Sequence, residues 1–176
     1  MTDRTDFDLI EDLPNDGTRE KEVYARYGLA AYRAQVFDHG LVNLLAIAAS
    51  IDEGASLAEI DNKFELLFAK TTGALVTTAA KESRLGAEDI ALCRSAVAER
   101  NRLVHHFFRE HAENFFTESG QQRIVDDADR VGELMGNADS ACHRVLMRLG
   151  KDNGITEETI DVQFQQMKAQ ILDQQS

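Results

Sequence analysis

One uninterrupted periodicity constrains this chain more than any other feature. From residue 18 to about residue 50, Val23, Tyr27, Ala30, Ala34, Phe37, Leu41, Leu44, Leu45 and Ala48 recur at intervals of three and four. That spacing gathers side chains on one face of an α-helix. Thr18 stands at its start as an N-cap, with Glu and Lys behind it. A lone helix has nothing to bury such a stripe against, so the remaining residues must supply matching faces.

After a break at Asp52-Glu53-Gly54, a second helix is predicted over 56–70, carrying Leu57, Ile60, Phe64, Leu67 and Phe68. Thr71-Thr72-Gly73 interrupts it, and a short third helix follows over 74–83. A turn at Leu85-Gly86 precedes a central helix predicted over 87–116, whose opening acids Glu88 and Asp89 suit the positive end of a helix dipole. Ser119-Gly120 reads as a break, and a further long helix over 121–149 ends at Gly150. Beyond Asp152-Asn153-Gly154, Thr156 caps a last helix with Ile160, Phe164, Met167 and Ile171. A single proline and 11 glycines leave too few turn residues for a β-sandwich. The predicted fold is all-α: one bundle of about five to six helices over 18–154, after a flexible lead-in at 1–17 and before a C-terminal amphipathic helix and tail at 155–176.

Charge narrows the function classes. Nineteen basic residues against 31 acidic ones give −12, which argues against a general nucleic-acid coat or a membrane-surface protein. Between 84 and 109, however, five arginines face only Glu88, Asp89 and Glu99, so the central helix is locally basic. The two cysteines, Cys93 and Cys142, have no metal-type spacing and are expected to be reduced, buried thiols of a cytoplasmic protein. No apolar run is expected to span a bilayer, and the acidic start does not read as a signal peptide. His143 beside Cys142 lacks further ligands at a useful spacing, so neither metal nor cofactor is expected.

The stretch that carries chemistry is 98–111, which holds three of the five histidines and the arginines Arg100, Arg102 and Arg109. On a helical wheel Leu92, Ala96, Leu103, Val104, Phe107 and Phe115 form the buried side, and Arg100 projects from its middle. An arginine there requires a partner or a cleft; a carboxylate from a neighbouring helix, Asp38 or Asp127, would serve. Asn101 and His105 lie one above the other on the edge of the stripe, and Arg94 joins that edge earlier in the helix. His106, Arg102, Arg109 and Glu99 point to the more solvated side, where His111 is also expected. His39, next to Asp38, could reach a cleft from the first helix. Phe107, Phe108, Phe115 and Phe116 are expected in the core or an interface, and Asp126, Asp127 and Asp129 on a solvated face. An imidazole can move protons near neutral pH, a guanidinium can pair with phosphate oxygens, and an asparagine can orient either partner. Together they suit transphosphorylation of an RNA phosphodiester without a metal.

The arrangement Arg100-Asn101-x-x-x-His105 resembles the signature of the HEPN superfamily, an arginine, a polar residue and a histidine after three variable positions. The preceding Thr72-Gly73-x-x-Val76 segment is similar to a Thr-Leu-Gly-x-Leu stretch found before this motif in some small bacterial helical proteins, with Thr in place of the first Leu. The likeness extends over helix layout from about residue 24 to 149. It implies a homodimer with two motifs facing one another across a cleft, and a metal-independent endoribonuclease of toxin or phage-defence type. A nucleotidyltransferase-type antitoxin is the partner such proteins often have. Carried over by position, Arg100 would hold the scissile phosphate, Asn101 would orient and His105 would be the acid and base. Arg94, Arg102 and His106, on the same helix but outside the motif, are expected as further contacts to RNA or nucleotide. The alternative implied is a catalytically silent HEPN-like dimer that serves as a regulatory or protein-interaction module.

Overall fold

The computed structural model describes residues 17–82, 84–154 and Gln165. Within them the chain is all-α, with six α-helices and one 3-10 turn. These are α1 (Thr18–Glu53), α2 (Leu57–Phe68), α3 (Thr72–Lys81), α4 (Ala87–His105), α5 (Phe107–Glu110), the 3-10 turn Ala112–Phe116 and α6 (Glu118–Asp152). The lead-in and the helix expected from Thr156 lie outside the described residues.

The stripe on α1 is buried as its spacing requires: Val23, Ala30, Ala34, Phe37, Leu41, Leu44, Leu45 and Ala48 are all in the core. Its main neighbour is α6, 35 residues long, which contributes Ile124, Ala128, Val131, Met135, Ala138 and Cys142. The two run parallel. Arg19 meets Gln122, Arg26 meets Asp129, and Gly40 faces Asp139. Small residues let the backbones approach: Gly132 sits against Ala30 and Arg33, and a Cβ at Gly40 would run into the Asp139 carboxylate. The intervening helix α4 returns antiparallel to both, with Arg102 opposite Asp127 and Asp89 opposite Arg144 at the far end. Its Cys93, like Cys142, is a buried free thiol.

The break expected at Ser119-Gly120 is not a break. Thr117 caps α6 by accepting the Gly120 N–H at 3.0 Å, and the helix runs on through both residues. Glycine is required there by a neighbour, since any Cβ would collide with the Asn114 carbonyl. The real interruption lies earlier. α4 ends at His105, and His106 at φ −133° turns the chain into α5. Phe107 is thereby fully buried, while Phe108 and Phe115 pack on Tyr24, and Phe108 on Tyr27 at 4.5 Å between ring centres. Phe116, expected in the core or an interface, is 85% exposed and so not in the core.

Length and hydropathy correct one further expectation. α1 is long and apolar enough to cross a bilayer by composition, but half of its most apolar window is buried among the other helices. Such burial is the ordinary state of a core helix in a folded bundle.

α2 and α3 complete the molecule as a thinner layer. α2 begins with a capping box in which the Ser56 N–H donates to Glu59 at 2.8 Å. It runs back along α1, with Lys63 against Glu53 and Phe68 against His39. α3 starts at Thr71, whose hydroxyl accepts the Ala74 N–H, and buries Thr72, Leu75, Val76 and Ala79 against α1 and α4.

Candidate functional site

Where α1, α3, α4 and the end of α2 meet, the layers do not close. The opening is a cleft of about 630 Å³, within the range usual for small-ligand sites. α4 presents Val97, Arg100, Asn101 and His105 to it, α1 presents Asp38 and His39, α2 ends there at Phe68, and Lys70 and Thr71 lead into α3.

Arg100 was expected in a greasy seam. It takes that seam position, among the buried Cys93, Ala96 and Leu103 of α4, but the seam opens at its level and the side chain is 32% exposed. Val104, expected on the buried side, is 51% exposed. One terminal nitrogen of Arg100 donates to the Asp38 carboxylate at 3.2 Å, and the other lies 3.5 Å from the Asn101 amide oxygen. Asp38 is held in turn by the Thr72 hydroxyl, which donates at 2.8 Å. Arg100 is thus both paired, as one expectation had it, and part of a cleft wall, as the other had it. A guanidinium carries five N–H donors, so the contact with Asp38 leaves it free to hold a second anion.

Among the residues lining the cleft the cations are Lys70 and Arg100 and the carboxylate is Asp38. Thr72 and Gly73 in its wall form the first turn of α3, where backbone N–H groups lack helical acceptors and favour anions. The cleft is therefore suited to a phosphate in a chain whose formal charge is −12. His39 and Phe68 form an edge-to-face pair 5.0 Å apart at the α2 side.

The sequence-predicted residues divide. Arg100, Asn101 and His105 come together in the cleft, and His39 joins them. Arg94, exposed on α4, and His106, at its end, are not among the lining residues. Arg102 does not face solvent. It lies on the opposite side of α4, bound by Glu99 at 2.9 Å, Glu110 at 2.8 Å and Asp127 at 2.9 Å, with its guanidinium 5.7 Å from the Phe107 ring centre. Burial alone would weaken its hold on its proton, but the hydrogen bonds it donates to Glu110, Glu99 and Asp127 outweigh burial and raise it above the ordinary arginine value. Asp127, expected on a solvated face, also accepts from Arg130 at 2.7 Å and contacts His111 at 2.8 Å. His111, expected on the surface, bonds Asn114 as well and is mostly buried. Burial would raise Asp127, but its contacts with His111, Arg130 and Arg102 hold it below the usual carboxylate range.

Lys70, Phe68 and the start of α3 were not foreseen as site residues. Phe68 falls in the apolar pattern of α2 and reads there as a packing residue, while Lys70 and the start of α3 carry no periodicity because they lie between elements or at their ends. Among the described residues no three His, Cys, Asp or Glu side chains are grouped as a metal site. Compared with family models, with curated proteins and with solved structures, the chain finds no match in any of the three.

Proposed function

We propose that this is a HEPN-like protein whose α1/α3/α4 cleft takes a phosphodiester of RNA and cleaves it without a metal. One observation carries the reading: Arg100, Asn101 and His105 share a cleft wall with Lys70 and the first turn of α3, opposite a single lining carboxylate. In this reading Arg100 and Lys70 hold the non-bridging oxygens. The His105 imidazole takes the proton of the ribose 2′-hydroxyl as that oxygen bonds to phosphorus. The bond to the 5′-oxygen breaks, and that oxygen takes a proton from an imidazolium, leaving a 2′,3′-cyclic phosphate and a 5′-hydroxyl. Asp38, anchored by Thr72, is a positioning residue that fixes the guanidinium. Val104, half exposed beside His105, gives a second copy of the chain an apolar contact next to the cleft.

The Asp38–Arg100 pair supports a second reading, in which the guanidinium is already neutralised and the cleft binds without cleaving. Incubation of the purified protein with a defined single-stranded RNA in EDTA separates the two. Cleavage with cyclic-phosphate ends that falls at least 100-fold in His105→Ala and in Arg100→Ala is the expected result. Binding without cleavage by the unaltered protein selects the silent module. Equal cleavage by His105→Ala overturns the enzyme reading.

A further inference from the structure

Side chains of two chemical kinds line the cleft. Arg100, Asn101, His105 and Lys70 are polar or cationic. Two others, His39 and Phe68, are aromatic. Phe68 closes α2 with 48% of its surface exposed, and its ring meets His39 edge to face at 5.0 Å. Phe64 supports it from behind, its ring nearly parallel at 6.4 Å. The α2 side chains packed against the core are the half-buried Phe64 and Leu67, and Phe68 is not among them. Leu66, also exposed on α2, does not extend this patch. It faces a neighbouring groove with Lys63 and Thr78, which shares Leu67 and Lys70 with the cleft. Phe68 and His39 line the cleft and not that groove.

We infer that Phe68 and His39 form a base-stacking wall, so that the cleft recognises a whole nucleotide unit, with its base on Phe68 and its phosphate at Arg100. This rests on the reading of Arg100 and Lys70 as a phosphate site and adds to it what selects a nucleotide over any other phosphate. Stacking needs an aromatic face open to solvent and is tolerant of base identity. Phe68 lines the cleft and keeps 48% of its surface exposed, and Gln35, on α1 beside His39, offers an amide that can donate to and accept from a base edge. A stacked base must be unpaired, so single-stranded nucleic acid is the form admitted.

The chain contains no tryptophan, which makes Phe68→Trp a lone reporter at the wall. Adenosine 5′-monophosphate, ribose 5-phosphate and inorganic phosphate are titrated against the unaltered chain, Phe68→Ala and Phe68→Trp, with circular dichroism as the control for folding. The expected result is that the nucleotide binds the unaltered chain about tenfold or more tighter than ribose 5-phosphate. Phe68→Ala brings the two ligands to equal affinity and leaves ribose 5-phosphate where it was. The nucleotide alone quenches Phe68→Trp. Equal affinities in the unaltered chain, with no quenching, overturn the base wall and leave the phosphate reading standing. Failure of all three probes to bind overturns both. A change of oligomeric state in Phe68→Ala with nucleotide affinity unchanged assigns the ring to a protein contact and also overturns the wall.

Discussion

The two faces of α4 carry arginines two positions apart that do opposite work. Arg102 is saturated: three carboxylates and an aromatic ring surround it, and Arg130, His111 and Asn114 close the network around Asp127 and Glu99. Arg100 has one carboxylate at 3.2 Å, one distant amide and an open cleft. Buried charge is tolerated when every donor finds an acceptor. The first arginine comes close to that condition within the protein, with each of its three nitrogens bonded to a carboxylate, and the second meets it with one carboxylate only. A binding site is what a chain looks like where its own groups stop short of satisfying one another.

The sharpest way to break this contrast is on the saturated side. Asp127→Ala leaves Arg102, Arg130 and His111 facing one another without their shared acceptor. Because the site is partly solvated, the loss is below that of a fully buried pair, about 2–3 kcal/mol of stability. It is read as a lower urea midpoint at unchanged slope. A loss under about 0.5 kcal/mol would place the network among ordinary surface ion pairs.

Acid should act on the same side. For both Glu99 and Asp127, burial would raise the carboxyl value, yet contacts with Arg130 and Arg102, and for Asp127 first with His111, hold it below the ordinary one. A depressed folded value means that the unfolded chain takes up protons first. The contribution is fully present above the unfolded value of about 4 and is lost as pH falls through it and then through the folded value. Urea midpoints at neutral pH and on either side of that value should drop more steeply in the unaltered protein than in Asp127→Asn. Parallel curves would show that the two carboxylates are not linked to folding.

How much of this was legible in the sequence follows from where each signal resides. The stripe of α1 was legible because burial by α6 acts on one helix at a regular period, and each of its residues from Val23 to Ala48 except the half-buried Tyr27 is in the core. Arg100, Asn101 and His105 were legible as neighbours because helical geometry alone brings them together. The stop at His105 was not, since Arg-Leu-Val-His-His-Phe-Phe holds neither glycine nor proline. Packing ends the helix there, by placing Phe107 in the core and Phe108 on Tyr27. The continuation of α6 through Ser119-Gly120 was missed for the converse reason: that glycine answers a close approach by Asn114, which is a tertiary fact. Arg102 was misread as solvated because its three acceptors come from different elements, with Glu99 on α4, Glu110 on α5 and Asp127 on α6.

The smallest effect is the one that decides whether the contrast holds. Arg100→Ala removes a single ion pair whose members are 32% and 22% exposed. Water can enter where the guanidinium was, and Asp38 keeps the Thr72 hydroxyl as a donor. Pairs of this kind contribute about 0.5 kcal/mol, so the urea midpoint should move several times less than in Asp127→Ala. If the two substitutions destabilise equally, Arg100 is as much a part of the framework as Arg102, and its place in the cleft follows from packing alone. If stability is nearly untouched while the affinity for ribose 5-phosphate falls about tenfold or more, the side chain is held in place for something outside the chain, because folding would then have no use for it.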